Sequence, residues 1–449
     1  MNNFIPADPN QPLLLPIDLR EWVPADDMVH FVLEAVEQVP MHHFKINNHS
    51  GGSRQYHPRM MLALLVYCYA NGVFSSRRIE AATYRDVAVR YLCADTHPDH
   101  DTICKFRREN FEAVSASFLQ ILLLARELKL LKVGTISVDG TKIDANASKY
   151  RNIRYDRAGQ LIEQLEQDIS KLLGQAEEAD RSGREEGQTL PEELSRREKL
   201  KGELTKARER LEQEAKAKAE REQADYDRKL QARDRRQGKA KGKKPKPPNA
   251  KPLPDKQSNL TDPDSALMRK NKNSEYRQCY NAQAAVSTDG SQLVVGNRIS
   301  QSASDRNELC ADVASVPATL GRVSGVLADS GYANGTEVDR LERESVEVLV
   351  ATGCGKARQY DFRPPRVAKD PPSNSQPWIK RMKQRTETER GRKKYRMRQQ
   401  TVEPVFGIIK EVMGFRRFLL RGLEKVEGEW ALVCLAYNCK RLHRMMQRA

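Results

Sequence analysis

Three carboxylates stand in sequence patterns that constrain the fold of this chain. Asp139 and Asp329 follow short apolar runs, residues 133–138 and 323–328, and glycine or Ser-Gly comes next in each case. An apolar run that ends in an acid and a turn residue predicts a buried strand that delivers its carboxylate at the C-terminal edge. Glu403 instead begins a helical pattern. Two strand-end aspartates and a helical glutamate can converge on divalent cations, since Mg²⁺ takes oxygen ligands from carboxylates and phosphates.

The chain is strongly basic, and much of the excess charge lies in one segment. It has 449 residues and a formal net charge of +16, so binding to a polyanion is the expected property. Between residues 380 and 398, ten lysines and arginines are opposed only by Glu387 and Glu389. Such a run is compatible with a solvated helix face. Its position directly before Glu403 favours contact with DNA phosphates, which dominate DNA affinity. The three carboxylates and the basic segment 380–398, taken together, indicate phosphoryl transfer on nucleic acid.

The pattern along the chain predicts five segments. Apolar residues at helical spacing indicate an all-α first segment, whereas alternating and β-branched sequence returns in the last. The predicted segments are a helical N-terminal DNA-binding domain (1–132), the first part of the catalytic core (133–155), a charged helical hairpin or coiled coil inserted into that core (156–237), a basic Pro-rich linker (238–260), and the remainder of the core with the C-terminal helices (261–449).

The inserted segment 156–237 carries leucine stripes that are too narrow for an independent core. Its apolar seam must therefore close on itself or on another subunit. Contact between subunits and clamping of DNA are the favoured roles, and a solvated spacer is the alternative.

One short helix in the N-terminal segment has the pattern of a recognition helix. Asp99 is an acidic cap, and the helix after it carries Lys105, Arg107 and Arg108. These three side chains are candidate DNA contacts. An ordinary packed helix with solvated basic residues explains the same sequence equally well.

Metal sites built from cysteine or histidine are not expected. The eight cysteines form no Cys-x-x-Cys pair, and the sequence His-Pro-Asp-His-Asp at 97–101 suits a loop better than a rigid ligand frame. No apolar run reaches the roughly 18 residues of a membrane span, and cysteines in apolar helical context suit a reducing cytoplasm. We expect a basic protein that binds DNA there to associate with the nucleoid.

The order of predicted elements resembles a ribonuclease H-like core. It is an α/β mixed sheet with an all-α N-terminal domain and a helical coiled-coil insertion after the first core strand. The residues themselves resemble bacterial insertion-sequence transposases of the DDE class. The phrases that carry this resemblance are Val138-Asp139-Gly140-Thr141-Lys142-Ile143, Tyr280-Asn281-Ala282-Gln283, Leu327-Ala328-Asp329-Ser330-Gly331-Tyr332 and Tyr395-x2-Arg398-x4-Glu403-x6-Lys410. The gap between Arg398 and Glu403 is one residue longer than the commonest spacing in that class.

The resemblance implies a two-metal mechanism. Asp139, Asp329 and Glu403 would hold two Mg²⁺ ions, with Mn²⁺ as a substitute, for cleavage at the transposon ends and transfer to target DNA. Arg398 and Lys410 would hold DNA phosphates, although an ion pair with Glu403 or a neighbouring acid is the alternative for both. A homodimer assembled on DNA is the expected partner arrangement.

Two other functions fit the same residues. A stand-alone ribonuclease H-like nuclease would cut without joining, and a regulator derived from a transposase would bind DNA without cutting it. Asp305 is a fourth acid near the motifs, but its position at the start of a predicted helix at 304–313 favours a capping role, so it is left out of the site.

Overall fold

A computed structural model of the chain describes residues 18–46, 54–182, 190–234, 246–269, 273–352 and 376–448. These residues form two compact units. The first contains the chain up to Ile143 and from Asn281 onward, and the second contains Asp144–Tyr280.

Eight strands are present in the described residues. They are β1 (Thr135–Asp144), β2 (Asn152–Arg154), β3 (Gln257–Asn259), β4 (Ala266–Met268), β5 (Arg277–Ser287), β6 (Val294–Ser300), β7 (Gly325–Ala328) and β8 (Glu347–Val350).

The described residues also form fourteen α-helices. They are α1 (Leu19–Trp22), α2 (Met28–Glu37), α3 (Pro58–Ala70), α4 (Ser76–Arg85), α5 (Val87–Leu92), α6 (His100–Glu109), α7 (Phe111–Glu127), α8 (Tyr155–Ser182), α9 (Leu190–Asp234), α10 (Leu309–Ala314), α11 (Gly335–Arg343), α12 (Pro377–Glu387), α13 (Glu389–Gly407) and α14 (Leu423–Met446).

The sheet of the first unit has the strand order β6-β5-β1-β7-β8. β5 and β6 form an antiparallel hairpin, whereas β1, β7 and β8 are parallel neighbours. Gly290, in the turn of this hairpin, has a φ of 99°, a conformation that glycine adopts without a steric penalty. The order of antiparallel and parallel strands is that of a ribonuclease H-like core, so the predicted fold class is confirmed.

The C-terminal helix α14 joins the N-terminal helices and the sheet in one unit. It packs against α3 and α7 on one side and against β6 on another, and residues from Trp430 to Cys439 are buried. Asn438 donates to and accepts from the backbone of Val294 in β6, at 2.8 and 2.9 Å. The indole of Trp430 donates to the carbonyl oxygen of Gln283 in β5 at 2.9 Å. An all-round apolar helix is typical of such a central position.

In the second unit, α8 and α9 form the predicted helical hairpin. Tyr155 hydrogen-bonds to Glu212 and Glu166 pairs with Lys201, so the two helices run antiparallel. Their seam buries leucines from both predicted stripes, namely Leu165, Leu172, Leu204 and Leu211. Part of the predicted linker, residues 238–245, lies outside the described residues, and residues 246–256 form neither helix nor strand.

The structure differs from the sequence prediction at the first core strand. β1 does not end at Asp139 but continues to Asp144, because the β-branched Thr141 and Ile143 maintain the extended pattern beyond Gly140. By contrast, β7 ends at Ala328, directly before Asp329, as predicted. No α-helix in the described ranges is long and apolar enough to cross a membrane.

Candidate active site

Strand register brings Asp139 and Asp329 together. The parallel pairing of β1 with β7 aligns Ser137 with Leu327, and each aspartate lies two residues further along the chain, Asp139 within β1 and Asp329 directly after β7. Neighbouring strands are about 4.8 Å apart, and residues two apart point to the same face of a sheet. The two carboxylates therefore lie side by side where β7 ends.

The crowding of these carboxylates changes the acidity of Asp139. Burial and the neighbouring Asp329 raise the pKa of Asp139 to about 7, against the opposing effects of Arg398 and of the Gly140 N–H. That N–H donates to Asp139 Oδ1 at 2.9 Å. A partly buried carboxylate with a raised pKa is unfavourable in its ionised form, and such groups are concentrated at functional sites.

The third carboxylate lies on α13, and the helix is fixed by two local features. Thr388 caps α13 by accepting from the N–H of Gly391 at 3.0 Å, and a Cβ on Gly391 would lie within 2.9 Å of the Arg385 carbonyl and the Thr388 hydroxyl. Pro404 follows Glu403 inside the helix and has no N–H for the carbonyl of Gln400. Gln292 donates its side-chain amide to that carbonyl instead, at 2.7 Å.

Arg398 lies between two of the predicted acids. Its guanidinium is 2.7 Å from Glu403 Oε1 and 3.6 Å from Asp139 Oδ2, and only 9% of its side chain is exposed. The ion-pair alternative for Arg398 is therefore the arrangement that the structure shows. The cation brings Glu403 towards Asp139 and compensates part of their negative charge.

Lys410 reaches the same site through a change in helix type. The sequence predicts one uniform helix that places Glu403 and Lys410 on one face, but residues Ile408–Val412 form a π-helical turn after α13. π-Helical turns inside helices are frequent at functional sites. The ammonium of Lys410 hydrogen-bonds to the hydroxyl of Thr141, two residues beyond Asp139 on β1. Lys410 thus lies next to the carboxylates.

Asp305 is at this site, contrary to the sequence-based assignment. It does not cap the following helix, which begins at Leu309 without a side-chain cap. Its Oδ1 accepts hydrogen bonds from the side-chain amides of Asn281 and Gln283, both at 2.7 Å. These donors alternate on β5 and so share a face of the sheet. A cap requires only local sequence, whereas this contact depends on the position of β5, which the local pattern does not specify.

Two glycines of the motifs leave room for this network. A Cβ on Gly140 would lie within 2.8 Å of side-chain atoms of three residues, Asp305, Asn281 and Gln283. On the other side, Asp305 Oδ2 and Asp329 Oδ1 lie within 3.6 Å of the corresponding point at Gly331. Asp305 therefore stands beside both Asp139 and Asp329. The alternating Asn281-x-Gln283 and the Gly after Asp139 are the sequence signals that point to it.

Tyr332 also supports this network, through a hydrogen bond to Gln283. Its hydroxyl hydrogen-bonds to the side chain of Gln283, and its ring is fully buried. Gln283 is thus held at both ends, by Tyr332 at its oxygen and by Asp305 at its nitrogen. Both residues belong to the motifs named above, so the motifs encode support for the acids as well as the acids.

The donor set is compatible with a hard divalent cation. Carboxylate oxygens are the preferred protein ligands of Mg²⁺ and Mn²⁺, and the strand register places two of them, those of Asp139 and Asp329, side by side. Glu403 faces Arg398 rather than the aspartate pair. In the described residues, no group of three or more acidic, histidine or cysteine side chains is already gathered tightly enough to hold an ion. Asp139 and Asp329 fit as ligands, and Glu403 would have to separate from Arg398 to join them.

The predicted recognition helix forms, but its three basic residues differ in exposure: two are exposed and one is buried. Asp99 caps α6 by accepting from the N–H groups of Asp101 and Thr102. Lys105 and Arg108 are exposed one turn apart on α6. Arg107 is buried and donates to the Tyr69 hydroxyl and the Phe74 carbonyl, both at 2.9 Å.

Arg107 therefore belongs to the core of the N-terminal helices. Its partner Tyr69 also hydrogen-bonds at 3.2 Å to Glu429, a fully buried residue of α14. The buried guanidinium is committed to this network and is left out of the DNA contacts proposed below. The sequence pattern could not separate Arg107 from Lys105 and Arg108, because all three lie within four consecutive residues.

Two known protein families match parts of the chain. Residues 17–109 match the family described as Transposase domain (DUF772), and residues 255–439 match the family described as Transposase DDE domain. No match was found among curated proteins or solved structures. The second match includes Asp329 and Glu403, and Asp139 precedes it, on the other side of the helical insertion. With a ribonuclease H-like sheet and two transposase domains in succession, the chain belongs to the DDE transposases of insertion sequences.

Proposed function

We propose that this transposase binds the terminal inverted repeats of its element and catalyses cleavage and strand transfer at Asp139, Asp329 and Glu403. The observation that supports the proposal most is the register of β1 and β7, which aligns two motif aspartates at a strand end, with α13 presenting Glu403 to Arg398 beside them. DDE transposases use divalent metal ions, and two bound Mg²⁺ or Mn²⁺ ions would polarise the phosphate and lower the pKa of the attacking water.

The chemistry then proceeds through two in-line displacements at phosphorus. In the first, a water attacks the phosphodiester at the transposon end and a 3′-hydroxyl leaves. In the second, that hydroxyl attacks a target phosphodiester, so one P–O bond forms for each bond that breaks and no external energy source is needed. The chain contributes mainly positioning and charge neutralisation.

Arg398 and Lys410 supply the nearby positive charge. Arg398 is shared between Glu403 and Asp139 in the free protein. If Asp139 and Glu403 held a metal ion, the Arg398 guanidinium would be released from them and could bind a DNA phosphate as a fork. Lys410, beside Thr141, contributes a point charge.

Cleavage and joining on a defined substrate test this function. A plasmid that carries the element's two ends should be cut by the full chain in Mg²⁺ or Mn²⁺, and joined products should appear with target DNA. Cleavage without joining would identify a nuclease, and end binding without cleavage would identify a regulator. The two ends also imply two copies of the chain on DNA, which the mass of the protein–DNA complex would report, and a bacterial enzyme with this substrate is expected at the nucleoid.

Asp305 is expected to act as a positioning residue rather than through its charge. Asp305→Ala removes the acceptor for Asn281 and Gln283 and leaves their amides unpaired beside the proposed metal ligands, so we expect cleavage to fall by about 10- to 100-fold, the loss typical of residues that support a metal site. Asp305→Asn keeps an acceptor oxygen and should retain cleavage within a few-fold of the wild type. Single-turnover nicking in Mn²⁺ measures both variants, and thermal melting confirms that they are folded. An Asn variant as inactive as the Ala variant would show that the negative charge itself is required.

Lys105 and Arg108 are expected to contribute to recognition of the element's ends. In the full chain, the double variant Lys105→Gln with Arg108→Gln should lose about 10-fold or more in affinity for terminal DNA, because side chains that read base edges each discriminate by about 1–3 kcal/mol. Affinity for random duplex should fall less. Lys425→Gln with Arg444→Gln, two exposed residues of α14, removes the same charge as a control. Equal losses on terminal and random DNA would reduce the role of α6 to a basic surface.

A further inference from the structure

The basic run before Glu403 is divided by the fold into a paired part and an unpaired part. Arg381 and Arg385 of α12 pair with Glu342 of α11, and Lys394 of α13 pairs with Glu347 of β8 at 2.6 Å. These ion pairs attach α12 and the first turns of α13 to the edge of the sheet. Those three cations therefore have structural partners, and their charge is largely compensated.

Arg392 and Arg396 differ from these residues. Both are exposed, and no acidic partner for either is present in the part of the chain that the structure describes. They precede Glu403 by eleven and seven residues, and Gln399 lies between Arg396 and Glu403. Spacings of four, three and four residues place all four side chains on one face of an α-helix. All four are exposed, so they form a polar stripe that ends at Glu403.

The dimensions of this stripe suit a nucleic-acid strand. At 1.5 Å per residue, Arg396 lies about 10 Å and Arg392 about 16 Å from Glu403 along the axis of α13. One DNA strand carries a charge about every 3.4 Å of its axis. A strand whose scissile phosphate lies at Glu403 would therefore bring phosphates roughly three and five nucleotides away to the two arginines.

We propose that the stripe Arg392–Arg396–Gln399 binds the backbone of the DNA strand that is cut, over about five nucleotides on one side of the scissile phosphate. The inference rests on the proposed function for the location of the scissile phosphate at Glu403. The arginines provide guanidinium forks for phosphate, and Gln399 provides a neutral donor between them and the acid. Because Arg392 and Arg396 have no acidic partner in the described chain, binding DNA breaks no ion pair there.

The test compares salt dependence in two matched double variants of the full chain. Arg392→Gln with Arg396→Gln removes the stripe, and Arg340→Gln with Arg343→Gln removes two exposed charges from α11 in the same unit. Binding to a duplex with the element's end is measured between 50 and 200 mM salt in Ca²⁺. Loss of two phosphate contacts lowers the salt slope by about 1.8, so the wild type should lose about tenfold more affinity across this range than the stripe variant. The α11 variant should keep the wild-type slope.

Neutral phosphates locate the contact on the DNA. Methylphosphonates at the third to fifth phosphates from the cleavage position should weaken binding by the wild type and by the α11 variant, but should have little additional effect on the stripe variant. An unchanged salt slope in the stripe variant, or an equal methylphosphonate effect in all three proteins, would overturn the proposal. The proposal would also be overturned if the stripe variant lost self-association in the absence of DNA while the salt slope of its DNA binding was unchanged, since that result would identify a protein partner.

Cleavage by the wild type on the same duplex in Mg²⁺ separates this inference from the proposed function. Wild-type cleavage with an unchanged stripe-variant slope overturns the stripe alone. Failure of the wild type to bind the duplex overturns both.

Discussion

Replacement of Asp139, Asp329 or Glu403 by alanine is expected to reduce cleavage and strand transfer by about 1000-fold or more. Each carboxylate would supply an oxygen ligand that a methyl group cannot replace, and metal-assisted charge stabilisation is worth several kcal/mol, at about 1.4 kcal/mol per factor of ten. Single-turnover cleavage of end DNA in Mg²⁺ and in Mn²⁺ measures the loss.

DNA binding should survive these substitutions. Alanine at Glu403 removes the closest partner of the Arg398 guanidinium, which then becomes available to phosphate. Binding in Ca²⁺ should therefore be unchanged or tighter for Glu403→Ala. Asp339→Ala, which removes an acid of α11 paired with Arg381, is the control for a lost surface carboxylate. Near-wild-type cleavage by any one of the three site variants would exclude that residue from the catalytic set.

Asp139→Asn is expected to stabilise the metal-free protein at neutral and alkaline pH. Since burial and Asp329 raise the pKa of Asp139 to about 7, the folded chain keeps a proton on this group between about pH 4 and pH 7 that the unfolded chain has released. The free energy of unfolding therefore falls as pH rises through this window. Asparagine has no proton to lose, so at pH 8 in EDTA the variant should be more stable by on the order of 2–4 kcal/mol, an upper range given the partial exposure of the group.

Denaturant unfolding at pH 4 and pH 8 measures the difference. At pH 4 the wild type and the variant should be similar, because the unfolded chain has only begun to release the proton there, and the gap should open between pH 4 and pH 7. Mg²⁺ at pH 8 should stabilise the wild type more than the variant, because an ion compensates the ionised carboxylate that the variant lacks. A constant difference between the two proteins at all pH values would indicate that the ionisation of Asp139 is not the cause.

The elements that were predicted correctly are those with strong local patterns. The strand before Asp329, the Asp99 cap and the antiparallel leucine seam of α8 and α9 all depend on residues close in sequence or on a regular repeat. Errors occurred where a local signal was overruled. Gly140 looks like a turn after Asp139, but it is an extended position where only a hydrogen fits beneath Asn281 and Gln283.

The acids, their order and the types of element that carry them can be predicted from the sequence, because strand and helix periodicity and short motifs are local properties. Packing between elements establishes which side chains surround these acids. Asp305 joins the site, Arg107 is buried, and Arg392 and Arg396 are left exposed while Arg381 and Arg385 are paired. Each of these outcomes depends on which strand or helix lies next to another. The packing of apolar faces over the whole unit makes that choice. The local sequence around a lysine, arginine or aspartate does not reveal whether its side chain contacts solvent, a carboxylate or a buried tyrosine.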